Sequence, residues 1–309
     1  MVTFALTVLE KVFVLFLMIA AGYACGKLKI VTDDGAKNMS SVLFYIVTPC
    51  VIISSLQNTI GQVSIRNLTM SGLLSIPLFL LFILLSRAFF RGETQERKKV
   101  FRFGMVYSNC GFIGLPLAQA LLGNAGVAYA SMFIAIYNLF VWTHGISVMG
   151  GKEKKFEIRR AVLNPGIIGL VIGFTLFALS LRMPPVLLEP ISCFSDLNTP
   201  LAMIVIGVYV SEVPLRSMFQ DKTLYLLSFL RLLAVPAACL LILMPLHPDR
   251  TLLTSILILC AAPTGANTVM FAAQFGGDTN LSSRAVALTT IFSLVTMPIF
   301  PVLAGVLLK

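Results

Sequence analysis

The sequence predicts an all-α polytopic membrane protein: ten transmembrane helices in two inverted five-helix repeats, with broken crossing helices four and nine. Three observations predict it. Ten apolar runs are each long enough to cross a bilayer. The Lys and Arg residues of their connectors fall 17 on one side and 5 on the other when the connectors alternate. The interruptions of the runs recur at matching places in the two halves. Composition agrees: 58% of the 309 residues are hydrophobic and 12% charged, with mean hydropathy +0.94, whereas soluble domains carry about 25% charged residues. Secreted disulfide scaffolds, disordered tails and soluble enzymes are excluded.

The first run, about 5–26, is followed by Lys27 and Lys29. Ala21-Gly22-Tyr23-Ala24 imitates a signal-peptide cleavage site, but Glu10 cancels Lys11 and nothing basic precedes them, so the run is kept as a span. The second, about 36–57, is interrupted by Thr48-Pro49. The third, about 67–90, ends in the basic stretch Arg91 to Lys99. The fourth, about 100–122, holds Ser-Asn-Cys-Gly-Phe-Ile-Gly-Leu-Pro at 108–116. The fifth, about 126–149, precedes a basic loop at 151–160. The sixth, about 164–182, opens with Asn164-Pro165-Gly166, and the seventh, about 191–211, contains Thr199-Pro200. The eighth is about 222–245. The ninth, about 251–275, holds Ala-Pro-Thr-Gly-Ala-Asn at 262–267, and the tenth is about 283–308. Runs of this length read as membrane helices, whose backbone polar groups are satisfied internally. Short alternating strands of a barrel are absent from the pattern.

The side with 17 basic residues is expected to be cytoplasmic, so both termini face away from the cytoplasm, as in a multi-pass protein of the cell membrane. The net charge of +10 then belongs to loops on a lipid bilayer and implies no nucleic acid. The division expected is 1–150 as the first repeat, 151–160 as a basic cytoplasmic loop and 161–309 as the second.

Thr48-Pro49 matches Thr199-Pro200 at an offset of about 151. Asn109-Cys110-Gly111 ahead of Gly123 matches Pro263-Thr264-Gly265 ahead of Gly277 at about 154. Five spans per repeat is odd, so the second half enters the membrane oppositely, about a pseudo-two-fold axis in the membrane plane. Gly111, Gly114 and Pro116 lie near the middle of run four, and Pro263 and Gly265 near the middle of run nine. Pro removes a donor and Gly weakens a helix. One such helix reads as a kinked packing helix. Two at corresponding places read as discontinuous helices around a midplane substrate site.

A helix restarting in mid-membrane presents free N–H groups with partial positive charge, which hold an anion. Asn109 and Asn267 stand at the breaks, and each amide offers two donors to a carboxylate or caps a half-helix. Pro116 suits a first helical turn. The candidate substrate-binding residues are therefore Asn109, Cys110, Gly111, Pro116, Pro263, Thr264, Gly265 and Asn267, and the partner is a small organic anion. Arg231, nine residues into run eight, is a costly mid-membrane charge that binds substrate or pairs with a carboxylate, Asp196 being one candidate. Asp196 could itself carry a coupling proton. His144 could titrate near neutrality, or make a hydrogen bond near the end of run five. Tyr137 and Trp142 read as packing or interface aromatics.

Six cysteines lie in or beside apolar runs without C-x-x-C spacing, and His144 and His247 are far apart, so neither a disulfide framework nor a metal site is expected. No G-x-x-x-x-G-K-[ST] occurs, so no nucleotide cofactor and no ATP-driven step are expected of this chain. A secondary carrier leads over a sensor or channel on the same fold. An intramembrane enzyme would need a nucleophile with a base, for which only Cys110 and His144 offer themselves, without a third orienting group.

The segment Gly104 to Gly123, with its Asn-Cys-Gly-Phe-Ile-Gly-Leu-Pro-Leu core, resembles the crossover segment of the auxin efflux carrier family. So does Ala262 to Gly277, and Asn164-Pro165 after a basic loop is similar too. The resemblance covers nearly the whole chain, which looks like a compact bacterial-type member without the long cytoplasmic loop of the plant proteins. Carriers of malonate and related carboxylates are known among such members. The resemblance implies a scaffold of helices one, two, six and seven and a moving transport domain of helices three to five and eight to ten. It implies alternating access with the substrate beside the crossing, a homodimer through the scaffold, and site positions at Asn109, Pro116, Pro263 and Asn267. Cys110-Gly111-Phe112 departs from the plant pattern, which argues against auxin itself.

Overall fold

The computed structural model describes residues 2–150 and 163–307, and the basic loop expected at 151–160 lies outside them. Its main helices are α1 (Val2–Lys27), α2 (Asp33–Asn58), α3 (Ile65–Ala88), α4 (Gln95–Val106), α5 (110–122), α6 (124–150), α7 (Pro165–Ala178), α8 (Pro185–Glu212), α9 (Lys222–Leu246), α10 (Arg250–Ala261), α11 (Asn267–Phe275) and α12 (Thr279–Leu307). No strand forms among the described residues, where Ser108 and Thr264 make an isolated antiparallel bridge. Seven helices are long and apolar enough to cross a membrane if 110–150 counts as one. That stretch is interrupted at Gly123, whose φ of 61° and ψ of −153° are non-helical and are conformations that favour glycine.

Caps define several starts. Thr32, Ser64, Asn164, Asp249 and Asp278 each accept a backbone N–H of the first turn with the side-chain oxygen. The sixth run is shorter than its hydrophobicity suggests. Helix α7 has 14 residues, about 21 Å at 1.5 Å per residue, and the chain leaves it through Ser180 at φ 53°.

The prolines expected to weaken runs two and four do so gently. A widened π turn precedes Pro49 (Leu43–Val47), Pro116 (Cys110–Gly114) and Pro236 (Leu230–Ala234). The extra residue in such a turn accommodates the N–H that proline lacks without breaking the helix. In run seven the interruption falls at Leu197, between Pro185–Asp196 and Asn198–Glu212.

Two helix pairs approach closely. Gly22 of α1 and Gly207 of α8 each sit against the other helix's backbone, where a Cβ would overlap it. On α7, a Cβ at Gly169 would lie 2.7 Å from Pro49 Cα of α2. Elsewhere the core is aromatic, with Phe79, Phe82, Phe101, Phe103, Tyr107 and Phe133 fully buried. Phe79 and Phe103 pack on Tyr107, and Phe103 also on Phe271 of α11.

Candidate site at the helix crossing

Between α4 and α5 the chain is non-helical for three residues, Tyr107 to Asn109; between α10 and α11 it is non-helical for five, Ala262 to Ala266. The two stretches pair as a minimal antiparallel bridge. The Asn109 N–H donates to the Pro263 carbonyl at 2.7 Å, and the Gly265 N–H donates to the Tyr107 carbonyl at 3.0 Å. Backbone groups that two broken helices would leave unpaired are thus satisfied by each other. Gly265 is required by proximity, because a Cβ there would lie 2.9 Å from the Ser108 oxygen. Thr264, fully buried, donates its hydroxyl to the Gly104 carbonyl at 3.1 Å, and its N–H donates to Thr289 Oγ1 at 3.2 Å.

Asn109 caps α5: its Oδ1 accepts from the Phe112 N–H at 3.3 Å. Its Nδ2, in a residue only 5% exposed, has no hydrogen-bond partner among the described residues. The same holds for Thr268 Oγ1 on α11. Asn267 starts α11 and donates from Nδ2 to the Tyr137 hydroxyl at 3.4 Å. Tyr107 donates its hydroxyl to the Phe140 carbonyl at 2.8 Å and lies 2.9 Å from His144 Nδ1. A carbonyl only accepts, so the phenol proton goes there and the phenol oxygen accepts the His144 Nδ1–H. Cys110 is buried, and a Cβ added at Gly111 would meet nothing within 4 Å.

Two sequence expectations change. Pro116 is not at the break, which lies at Tyr107–Asn109; it sits in the second turn of α5, after the π turn that absorbs it. Arg231 makes none of the ion pairs among the described residues, and Asp196 is exposed on α8. Arg231, 1% exposed, instead donates Nε–H to the Ala262 carbonyl at 3.1 Å, Nη1–H to the Met105 and Val106 carbonyls at 2.9 and 3.3 Å, and Nη2–H to the Cys260 carbonyl. His144 makes the hydrogen bond expected near the end of run five, to the Tyr107 hydroxyl. Reasoning from sequence missed the hydroxyls of Tyr107, Tyr137 and Thr268; buried phenols need partners, and two tyrosines within reach of the motif were the available signal.

A polar clasp ties the start of α4 to the start of α9, the helix that carries Arg231. Arg97 donates to Glu93 Oε2 at 2.6 Å and to Asp221 Oδ2 at 2.7 Å, and the Thr223 hydroxyl donates to Glu93 Oε1 at 2.5 Å. The Thr223 hydroxyl, and then Arg97, hold the Glu93 carboxyl below the usual carboxylate range.

Residues 7–301 match the family described as membrane transport protein. The chain belongs to that family, the one that contains the auxin efflux carriers. A transporter of Methanocaldococcus jannaschii, itself uncharacterized, is 22% identical over 94% of this chain and 97% of its own length. A candidate malonate transporter of Rhizobium meliloti is 22% identical over 91% of each chain. A probable auxin efflux carrier component of Oryza sativa subsp. japonica is 24% identical over 48% of this chain and 26% of its own. This member of the membrane transport protein family is therefore a multi-pass membrane transporter. Its relatives are named as transporters, which points away from an enzyme.

Proposed function

We propose that the chain is a secondary carrier that moves a small organic anion, malonate or a related carboxylate, by alternating access, holding it at the crossing of α4–α5 and α10–α11. The carrying observation is Asn109. Its amide nitrogen is buried, unpartnered and fixed at the positive end of α5 by the cap that its oxygen makes. A buried polar group without a partner is costly, and a carboxylate would relieve that cost. Thr268 Oγ1 adds a second polar group without a partner among the described residues, and the open space beside Gly111 gives room.

The membrane arrangement proposed is ten spans in two inverted five-helix repeats, with α4–α5 as the fourth span and α10–α11 as the ninth. Reciprocal packing supports it. The first span lies against the seventh (α1 on α8), and the second against the sixth (α2 on α7), which is the exchange expected of two halves related by a pseudo-two-fold axis. The crossing is reciprocal as well. By the charge count both termini lie outside the cytoplasm of a plasma-membrane protein. By family resemblance, the first, second, sixth and seventh spans form a scaffold through which two copies dimerise.

A binding panel on purified protein tests the function: malonate, succinate, acetate, indole-3-acetate, and malonamide as the neutral control. At least one carboxylate is expected to bind and malonamide to bind far more weakly. Binding of malonamide as tight as that of malonate, or no binding by any acid, would contradict an organic-anion carrier.

A further inference from the structure

Four helix ends meet at the crossing. The carbonyl ends of α4 and α10 each carry about half a negative elementary charge, and the amide ends of α5 and α11 about half a positive one. Left alone the four cancel, and the crossing would favour neither anion nor cation. Arg231 changes this balance. Its four hydrogen bonds go only to carbonyl ends: Met105 and Val106 of α4, and Cys260 of α10 with Ala262, the residue that caps it. It takes part in no ion pair among the described residues. The planar guanidinium bridges both ends at once, which an ammonium point charge could not do as well.

We infer that Arg231 is the positioning residue that gives the site its preference for anions: it clamps the two carbonyl ends together and neutralises them, leaving the amide ends of α5 and α11 unopposed. This rests on the carrier function proposed above, and it assigns Arg231 no contact with substrate. The buried Asn109 amide stands on the amide side of the crossing, whereas Arg231 stands on the carbonyl side. One charge thus does two things. It joins both broken helices into one body, so that they move together, and it sets the sign of the field the substrate meets.

The field can be read without any substrate. Gly111 is half-buried and a Cβ there opens into free space, so Gly111→Cys is a reporter beside the crossing. Its reaction rates with a sulfonate-bearing and a trimethylammonium-bearing methanethiosulfonate are measured against a free thiol, after subtracting labelling of the six native cysteines in the parent. With Arg231 present the anionic reagent is expected to be favoured. Arg231→Gln keeps amide donors and loses the charge, and should move the ratio toward the cationic reagent on the order of tenfold, the scale of one unit charge at close range in a protein. Arg231→Lys should keep the ratio within about threefold while weakening the clamp. A purely structural role would change both rates together and leave the ratio fixed. A parent ratio that favours the cation, or an Arg231→Gln ratio that equals the parent's, overturns the inference. If Arg231→Gln does not fold, the parent and Lys ratios decide it. Carboxylate binding absent with the ratio as expected would remove the carrier function and leave the inference standing; carboxylate binding with the wrong ratio would remove the inference alone.

Discussion

At the first break the chain leaves the helix for three residues and re-enters through the Asn109 cap; at the second it leaves for five and re-enters at Asn267 with no side-chain cap. The first break is followed by thirteen residues of helix to Leu122, the first five of them a π turn. The second is followed by nine residues that end at Gly276, at φ 71°. Their asparagines differ in the same way: Asn109 has an idle donor, whereas the Asn267 donor already reaches Tyr137. The two halves therefore share a path and divide the work. The first supplies the free amide, and the second supplies the close backbone approach through Pro263 and Gly265.

This difference can be broken by mutation. The largest effect is expected at the close approach. Gly265→Ala drives a methyl to 2.9 Å from the Ser108 oxygen, an overpacking that costs about 1–3 kcal/mol, read as a lower unfolding midpoint in detergent. Gly111→Ala, which meets open space, should leave that midpoint within about 0.5 kcal/mol. Equal effects would deny that the second half makes the closer approach.

Next comes the division between the asparagines. Asn109→Ala removes a cap worth about 1 kcal/mol and a donor to a charged ligand worth about 1.5–3 kcal/mol. Affinity for the best carboxylate of the panel should fall at least tenfold, by the factor of ten that about 1.4 kcal/mol represents. Asn267→Ala should cost only a few-fold, since ligand binding would exchange the existing 3.4 Å bond from Asn267 to Tyr137 for a new one rather than add one. A titration showing the reverse order would place the free donor in the second half.

How much of this was legible in the sequence depends on what made each feature. Pro263 and Gly265 mark their break openly, because they are poor helix formers at any position. The first break has no such residue between Met105 and Asn109. It forms because Tyr107 and Asn109 find backbone partners on a segment over 150 positions away in sequence, and no local pattern encodes that. Pro116 points to the right helix but the wrong turn, since the π turn relieves it. Arg231 is conspicuous as a charge within an apolar run, yet its partners are carbonyls, which every residue carries. The outline of the two breaks was legible, and their hydrogen bonding was not.

Two smaller effects sharpen the account. Tyr107→Phe removes the hydroxyl shared by the Phe140 carbonyl and His144, and should cost about 1 kcal/mol of stability with the fold retained in circular dichroism. The clasp at Glu93 gives a pH effect. Its carboxyl is held below the usual range, so its contribution is present at neutral pH and is lost as pH falls through that lowered value. Partly exposed pairs contribute about 0.2–1 kcal/mol. Unfolding midpoints compared at pH 7 and in mild acid should fall less for Glu93→Gln than for the parent.

The most direct test of the central claim is counterflow. Liposomes containing the purified protein are loaded with the tightest-binding carboxylate of the panel, unlabelled, and diluted into a trace of the same acid, labelled. A carrier that binds its anion at the crossing and exposes it alternately accumulates label transiently above the outside concentration, and Asn109→Ala abolishes or strongly reduces that overshoot. Equilibration of label without overshoot, at a rate indifferent to internal substrate, would contradict alternating access and make the protein a channel.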